Sequence, residues 1–126
     1  MRASGLVLSI FLLGATAFAQ TEVMRPTDVT AEQVGKGIAV EGRVYSHGKS
    51  ETGQIALFFG ADISTAFRAI VPSADLHKFK VDVVKKYTRR NVRVTGTVEE
   101  QDGKFYILIR EPKQIKVVPR KRRTSS

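Results

Sequence analysis

From Gly37 onward, apolar residues recur at every second position in short runs broken by glycine, proline and polar residues, the period of half-buried strands. Ile38, Val40 and Val44 fall on the inner side of a first strand predicted over Gly37 to His47. Gly48 to Gly53 reads as a polar turn. A second strand follows from Gln54 to Gly60, with Ile55, Leu57 and Phe59 on one face, and a third from Ala66 to Val71, stopped by Pro72. Beyond Pro72 the period lengthens. Leu76, Phe79, Val83, Val84 and Tyr87 recur at helical spacing behind a Ser73 cap, with Lys78, Lys80, Asp82, Lys85 and Lys86 on the other faces. That spacing predicts a helix from Ala74 to Arg89. A fourth strand, Asn91 to Glu100, turns Val92, Val94 and Val98 inward, and Asp102-Gly103 makes a hairpin into a fifth, Lys104 to Arg110. After Pro112, Gln114 to Val118 either continues the last strand or folds back along the sheet. Ahead of the strands, Thr30-Ala31-Glu32-Gln33 matches a capping box followed by Gly35 and Gly37, which predicts one short helical turn.

The first and fourth strands carry the same pentad, Val40-Glu41-Gly42-Arg43-Val44 and Val94-Thr95-Gly96-Thr97-Val98. In each, a glycine stands where an inward side chain belongs. Such a glycine weakens a flat strand but permits a bend, a bulge or a close backbone approach, the features of a sheet that curls on itself. The repeat predicts a closed or nearly closed barrel. Three strands, one helix and a two-stranded hairpin are the order of a mainly β, five-stranded Greek-key OB barrel with its helix between strands three and four. On these pentads, the helix placement and the closing Phe105-Tyr106-Ile107-Leu108-Ile109 run, the stretch Gly37 to Val118 resembles the OB-fold nucleic-acid-binding family. It resembles especially the tRNA anticodon-binding-like OB domains of some exported bacterial proteins. Those motifs are structural, so they bear on fold rather than on activity.

The ends of the chain read differently. Arg2, the apolar run Gly5 to Leu13 and Ala17-Phe18-Ala19 before Gln20 form a signal-peptide pattern, predicting cleavage after Ala19 and a periplasmic or secreted product. No later stretch is apolar enough to span a bilayer as a helix. The predicted organisation is a signal peptide over 1–19, an N-terminal segment over 20–36, the barrel over 37–118 and a disordered basic tail over 119–126. The sequence contains no cysteine, which excludes disulfides, thiol nucleophiles and cysteine–zinc sites. Its 21 Lys and Arg against 12 Asp and Glu give a net charge of +9. Four of those cations stand together as Arg120, Lys121, Arg122 and Arg123, yet the barrel region keeps an excess of its own. This balance favours polyanions such as nucleic acid, anionic lipid headgroups or acidic polymers.

OB domains that bind single strands use the outer surface of strands one to three, with rings stacking on bases and cations following phosphates. Strand parity predicts that Glu41, Arg43, Tyr45 and His47 face outward on the first strand, Ala56 and Phe58 on the second, and Arg68 and Ile70 on the third. The candidate ligand-binding set is Arg43, Tyr45, His47, Phe58 and Arg68, with Lys49 and Lys104 in nearby loops and the tail as an electrostatic arm. Arg43 and Tyr45 equally fit an ordinary solvated strand face, and Phe58 equally fits a site covered by a terminal segment. Phe79 and Tyr87 read as core residues.

The sequence offers little support for an enzyme. His47 and His77 lack metal-ligand spacing, Asp62, Asp75 and Asp82 are scattered and read as surface acids, and there is neither a phosphate-cradling glycine loop nor a serine elbow. The expected protein is an exported, non-enzymatic binding domain without cofactor or metal, whose partner is single-stranded nucleic acid or a similar polyanion. The alternative is an envelope scaffold for protein or cell-wall material, with the tail contacting an anionic membrane surface.

Overall fold

The structure, a computed structural model, describes Val23 to Pro119; the predicted signal peptide and the tail Arg120 to Arg123 lie outside the described residues. Among the described residues, eight strands alternate with short turns. They are β1 (Val23–Met24), β2 (Gly37–Arg43), β3 (Ser46–Lys49), β4 (Ile55–Phe58), β5 (Arg68–Val71), β6 (Asn91–Gln101), β7 (Lys104–Leu108) and β8 (Ile115–Val117). One α-helix, α1 (Val83–Tyr87), lies between β5 and β6.

Hydrogen bonding runs β1-β2-β6-β7-β5-β4-β3, with β8 on β6. The two halves of the predicted first strand, β2 and β3, therefore sit at opposite sides of this path, and the chain itself joins them through Val44 and Tyr45. At that junction Val44 exchanges bonds with the segment after α1, its N–H donating to Arg90 O at 2.9 Å and its carbonyl accepting from Arg89 N at 2.7 Å. Tyr45 N–H then donates to Phe58 O on β4 at 2.8 Å. The bent strand thus pairs with β6 before the bend and with β4 after it. Taking β2–β3 as one strand, the circuit of first, second, third, fifth, fourth and back to first is that of the five-stranded Greek-key barrel, with β5 and β7 parallel and the other barrel pairs antiparallel.

The core follows the predicted inner positions. Val40, Val44, Leu57, Val71, Val92, Val94, Ile107 and Ile109 are wholly buried, and Ile38, Phe59 and Val98 nearly so. Phe59 meets Phe67 edge to face at 5.6 Å. Phe79, Val83 and Tyr87 join this core from the segment between β5 and β6, and Val29 joins it from the N-terminal segment.

The pentad glycines are sites of close approach. A Cβ on Gly42 would lie 2.6 Å from Pro26 Cγ, and one on Gly96 would lie 2.6 Å from Ile107 Cγ2 and 3.2 Å from Gln114 Nε2. Gln114 occupies that space with a fully used amide. Its Oε1 accepts from Arg110 N and Glu111 N at 2.8 and 3.0 Å, and its Nε2 donates to Thr95 O and Leu108 O at 3.0 Å each. The clamp turns the chain off β7 into β8, which folds back antiparallel along β6.

Three expectations are corrected. The helix over Ala74 to Arg89 is instead a 3-10 turn, Ser73–Lys78, and the five-residue α1. Phe79 is extended between them, and Asp82 starts α1 afresh by accepting from Lys85 N at 3.1 Å. Ser73 is not the cap; Pro72 holds that position without a side-chain bond. Asp75 is not a surface acid: it is buried, pairing with Lys78 Nζ at 2.9 Å and Arg110 Nη1 at 3.5 Å. The short turn at Ala31–Gln33 does form, with the Thr30–Gln33 capping box in place, but a second turn, Pro26–Asp28, and the parallel strand β1 precede it.

Candidate functional site

Ladder partners point to the same side of a sheet, so register decides which side chains share a surface. One row across the barrel wall is Ser46, Phe58, Arg68, Tyr106 and Glu99, on β3, β4, β5, β7 and β6 in turn. The row beside it is Gly48, Ala56, Ile70 and Leu108. Since the intervening Leu57, Ala69 and Ile107 are core residues, both rows face outward.

Phe58 is the least exposed member, at 9%. The Arg68 guanidinium lies 4.8 Å over its ring, and Gly48, whose absent Cβ would stand 3.2 Å from Phe58 Cε2, lets the backbone close in. Arg68 is held in that pose by its loop: Nη2 donates to Ile63 O at 2.8 Å and to Ala66 O at 2.9 Å, and Nε donates to Ala66 O at 3.1 Å. The loop is shaped by Asp62, whose Oδ1 accepts from Ser64 N at 3.0 Å and Ser64 Oγ at 2.6 Å; these bonds hold its carboxyl below the usual range. Partial burial pulls the Arg68 guanidinium below its ordinary value, but a guanidinium stays charged at neutral pH.

Tyr106 extends the platform. Burial and the neighbouring Glu99 carboxylate push its phenol up, and the hydroxyl donates to Glu99 Oε1 at 3.4 Å. The ring is half-buried and carries a neutral hydroxyl at neutral pH. Lys104 has the same strand parity as Tyr106 and lies on β7, not in a loop.

The structure brings Phe58, Arg68 and Lys104 to one surface but leaves out the rest of the predicted set. Tyr45 N–H bonds to Phe58 O, while Ser46 is the ladder partner of Phe58, so two residues stand opposite one. That bulge shifts the strand's phase by one residue. His47 and Lys49 consequently pair with the inward Leu57 and Ile55, on the other side of the sheet from Phe58, and Lys49 too is a strand residue rather than a loop residue. Tyr45 is 50% exposed at the bulge itself. Arg43 is exposed on the separate β2–β6 ladder opposite Asn91, beside an ion pair of Glu41 with Arg93 at 2.8 Å. The sequence reading missed Tyr106 and Leu108; once Ile107 and Ile109 are placed inward, their parity turns them outward. Tail residues Arg120, Lys121, Arg122 and Arg123 lie outside the described residues. Among the described residues no three His, Cys, Asp or Glu side chains converge as a metal site would require, and no helix is long and apolar enough to cross a membrane.

No protein-family model and no curated protein matches the chain. Solved structures do. An OBody, AM1L10, bound to hen egg-white lysozyme aligns at a TM-score of 0.58 and 18% identity, over 81% of this chain and 96% of its own. The fold is an OB barrel. Asparaginyl-tRNA synthetase from Pyrococcus horikoshii aligns at a TM-score of 0.55 and 19% identity, over 79% of this chain and 23% of that one. Aspartyl tRNA synthetase from Entamoeba histolytica aligns at 0.55 and 13%, over 80% and 22%. This OB barrel therefore spans under a quarter of each synthetase.

Proposed function

We propose that this OB barrel is an exported, non-enzymatic binding protein whose outer face on β4, β5 and β7 takes single-stranded nucleic acid or a similar polyanion. The observation that carries the reading is the Phe58–Arg68–Tyr106 row, in which the buried Phe58 ring backs a guanidinium that is already ordered and the half-buried Tyr106 ring stands next to it in the ladder. Bases stack on such planes at about 1 to 3 kcal/mol each, whatever their sequence, while Arg68 and Lys104 follow the phosphates. Glu99 closes the row with a negative charge, so the strand's phosphates run on the Arg68 and Lys104 side. Contacts to phosphate position a strand without reading it, so binding tolerates sequence changes. The synthetase neighbours act on tRNA by name, which supports the class of partner without fixing it.

The test is fluorescence anisotropy with a labelled single-stranded oligonucleotide over a salt series. Micromolar binding at low salt that weakens as salt rises, and that Arg68→Ala and Tyr106→Ala each weaken, is expected. Binding indifferent to both substitutions removes the face from the mechanism. A second reading, a scaffold docking on protein, is favoured by the uncharged row Ala56, Ile70 and Leu108 and by the lysozyme-bound OBody neighbour.

A further inference from the structure

The described cations are not spread evenly. Lys78, Lys80, Lys85, Lys86, Arg89 and Arg90 fall within one stretch between β5 and β6, all exposed, against two acids: Asp75, which is buried and pairs with Lys78 at 2.9 Å, and Asp82, whose carboxylate is committed to the start of α1. The fold lays β8 against this stretch. Between them runs a groove of about 500 Å³ whose rim holds Lys80, Lys86 and Lys116 and whose apolar surface includes Val81 and Val117. Val81 is 44% exposed beside Lys80, an aliphatic side chain presented to water among ammonium groups. The groove shares no residue with the outer rows described above.

The end of β8 lies at the same place. Val117 lines the groove, and Arg120 follows it by three residues, at most about 11 Å of chain.

The geometry points to this groove and its rim as a docking surface for an anionic lipid bilayer. Charge complementarity demands an anionic partner, and the kind of cation and apolar group selects among anions. The rim is mainly lysine, compact point charges suited to a diffuse anionic surface, where arginine forks would suit defined bidentate contacts. The two aromatic rings at the groove, Phe79 and Tyr87, are buried in the core and offer no open face for a base to stack on. What is exposed is aliphatic, which fits the headgroup and acyl boundary. The barrel would then lie on the membrane through this surface with its Phe58–Arg68–Tyr106 face free.

The test uses the protein from Gln20 onward, which contains every described strand and the whole described core. It is sedimented with vesicles of phosphatidylcholine alone and of phosphatidylcholine with an equal share of phosphatidylglycerol. Binding to the anionic vesicles only, falling with added salt, is expected. Lys80→Glu with Lys86→Glu, tail intact, weakens it at least tenfold, since each lysine near such a surface contributes roughly a fivefold factor. The neutral pair Lys80→Gln with Lys86→Gln gives a smaller loss in the same direction, and Val81→Asp also weakens binding. Circular dichroism confirms that each variant is folded. Equal binding to neutral vesicles, no binding to anionic ones, or binding that ignores the lysine pairs and vanishes only when Arg120 to Arg123 are removed overturns the inference. Oligonucleotide affinity, measured on the same variants, stays within twofold. A large loss there, with vesicle binding intact, assigns the lysines to nucleic acid and overturns it as well.

Discussion

Arg68 lies over Phe58 at 4.8 Å while its Nε and Nη2 are bound to the carbonyls of Ile63 and Ala66, so the stack is ordered before any ligand arrives. Little side-chain entropy remains to be lost on binding. Arg68→Lys keeps the charge but removes the planar fork that reaches both carbonyls. Oligonucleotide affinity is expected to fall several-fold and stability by about 1 to 2 kcal/mol. Anisotropy and urea titration measure the two effects separately; unchanged affinity means that the guanidinium plane is not used.

Tyr106 separates stacking from hydrogen bonding. Tyr106→Phe keeps the ring and loses only a 3.4 Å bond to Glu99, so affinity should change less than twofold. Tyr106→Ala removes the ring and should cost about 1 to 3 kcal/mol of binding. Equal affinities for the two variants leave no role for stacking at this position.

Gly96 exists for Ile107 and Gln114. Gly96→Ala places a methyl 2.6 Å from Ile107 Cγ2, and overpacking of this kind costs about 1 to 3 kcal/mol. Its thermal midpoint should drop by several degrees. Ile107→Val in the same chain removes the Cδ1 methyl but keeps both γ carbons, so it should recover little of that loss.

The Gln114 amide predicts an asymmetric substitution series. Gln114→Glu keeps the acceptor for Arg110 N and Glu111 N but sets a carboxylate oxygen against the Thr95 and Leu108 carbonyls that Nε2 now serves. Loss of two bonds and the repulsion put the cost at about 2 to 4 kcal/mol. The variant should regain stability at acid pH, where the carboxyl is protonated, as read from chemical denaturation at pH values on either side of the carboxyl's titration.

Alkaline pH should loosen the fold through Tyr87. The side chain is only 3% exposed and burial raises its phenol above the ordinary value near 10. Below that pH the phenol is neutral in both states and its contribution is complete. As pH climbs further the unfolded chain ionises first, so stability falls until the folded phenol's own, higher value is passed. Tyr87→Phe should flatten this decline in thermal midpoint; an identical decline assigns it elsewhere.

The strands, their inward residues and the barrel order were legible in the sequence because alternation over a few residues is a local property that burial enforces. Ile55 and Leu57, or Val92 and Val94, have only one side on which to hide. The phase of β3 was not legible. A continuous alternation from Ile38 to His47 carries no mark of the bulge at Tyr45, which arises only when β4 pairs with the strand and shifts His47 and Lys49 away from Phe58. The broken helix was hidden for a related reason: Leu76, Phe79, Val83 and Tyr87 keep helical spacing although Phe79 is extended, because each is pulled separately onto the barrel's core. Tyr106 was concealed inside an unbroken apolar run, where parity has meaning only after Ile107 is known to face inward. Tertiary structure alone set β8 beside the segment of residues 78–87, since strand pairing with β6, and not nearness in sequence, decides which charges become neighbours.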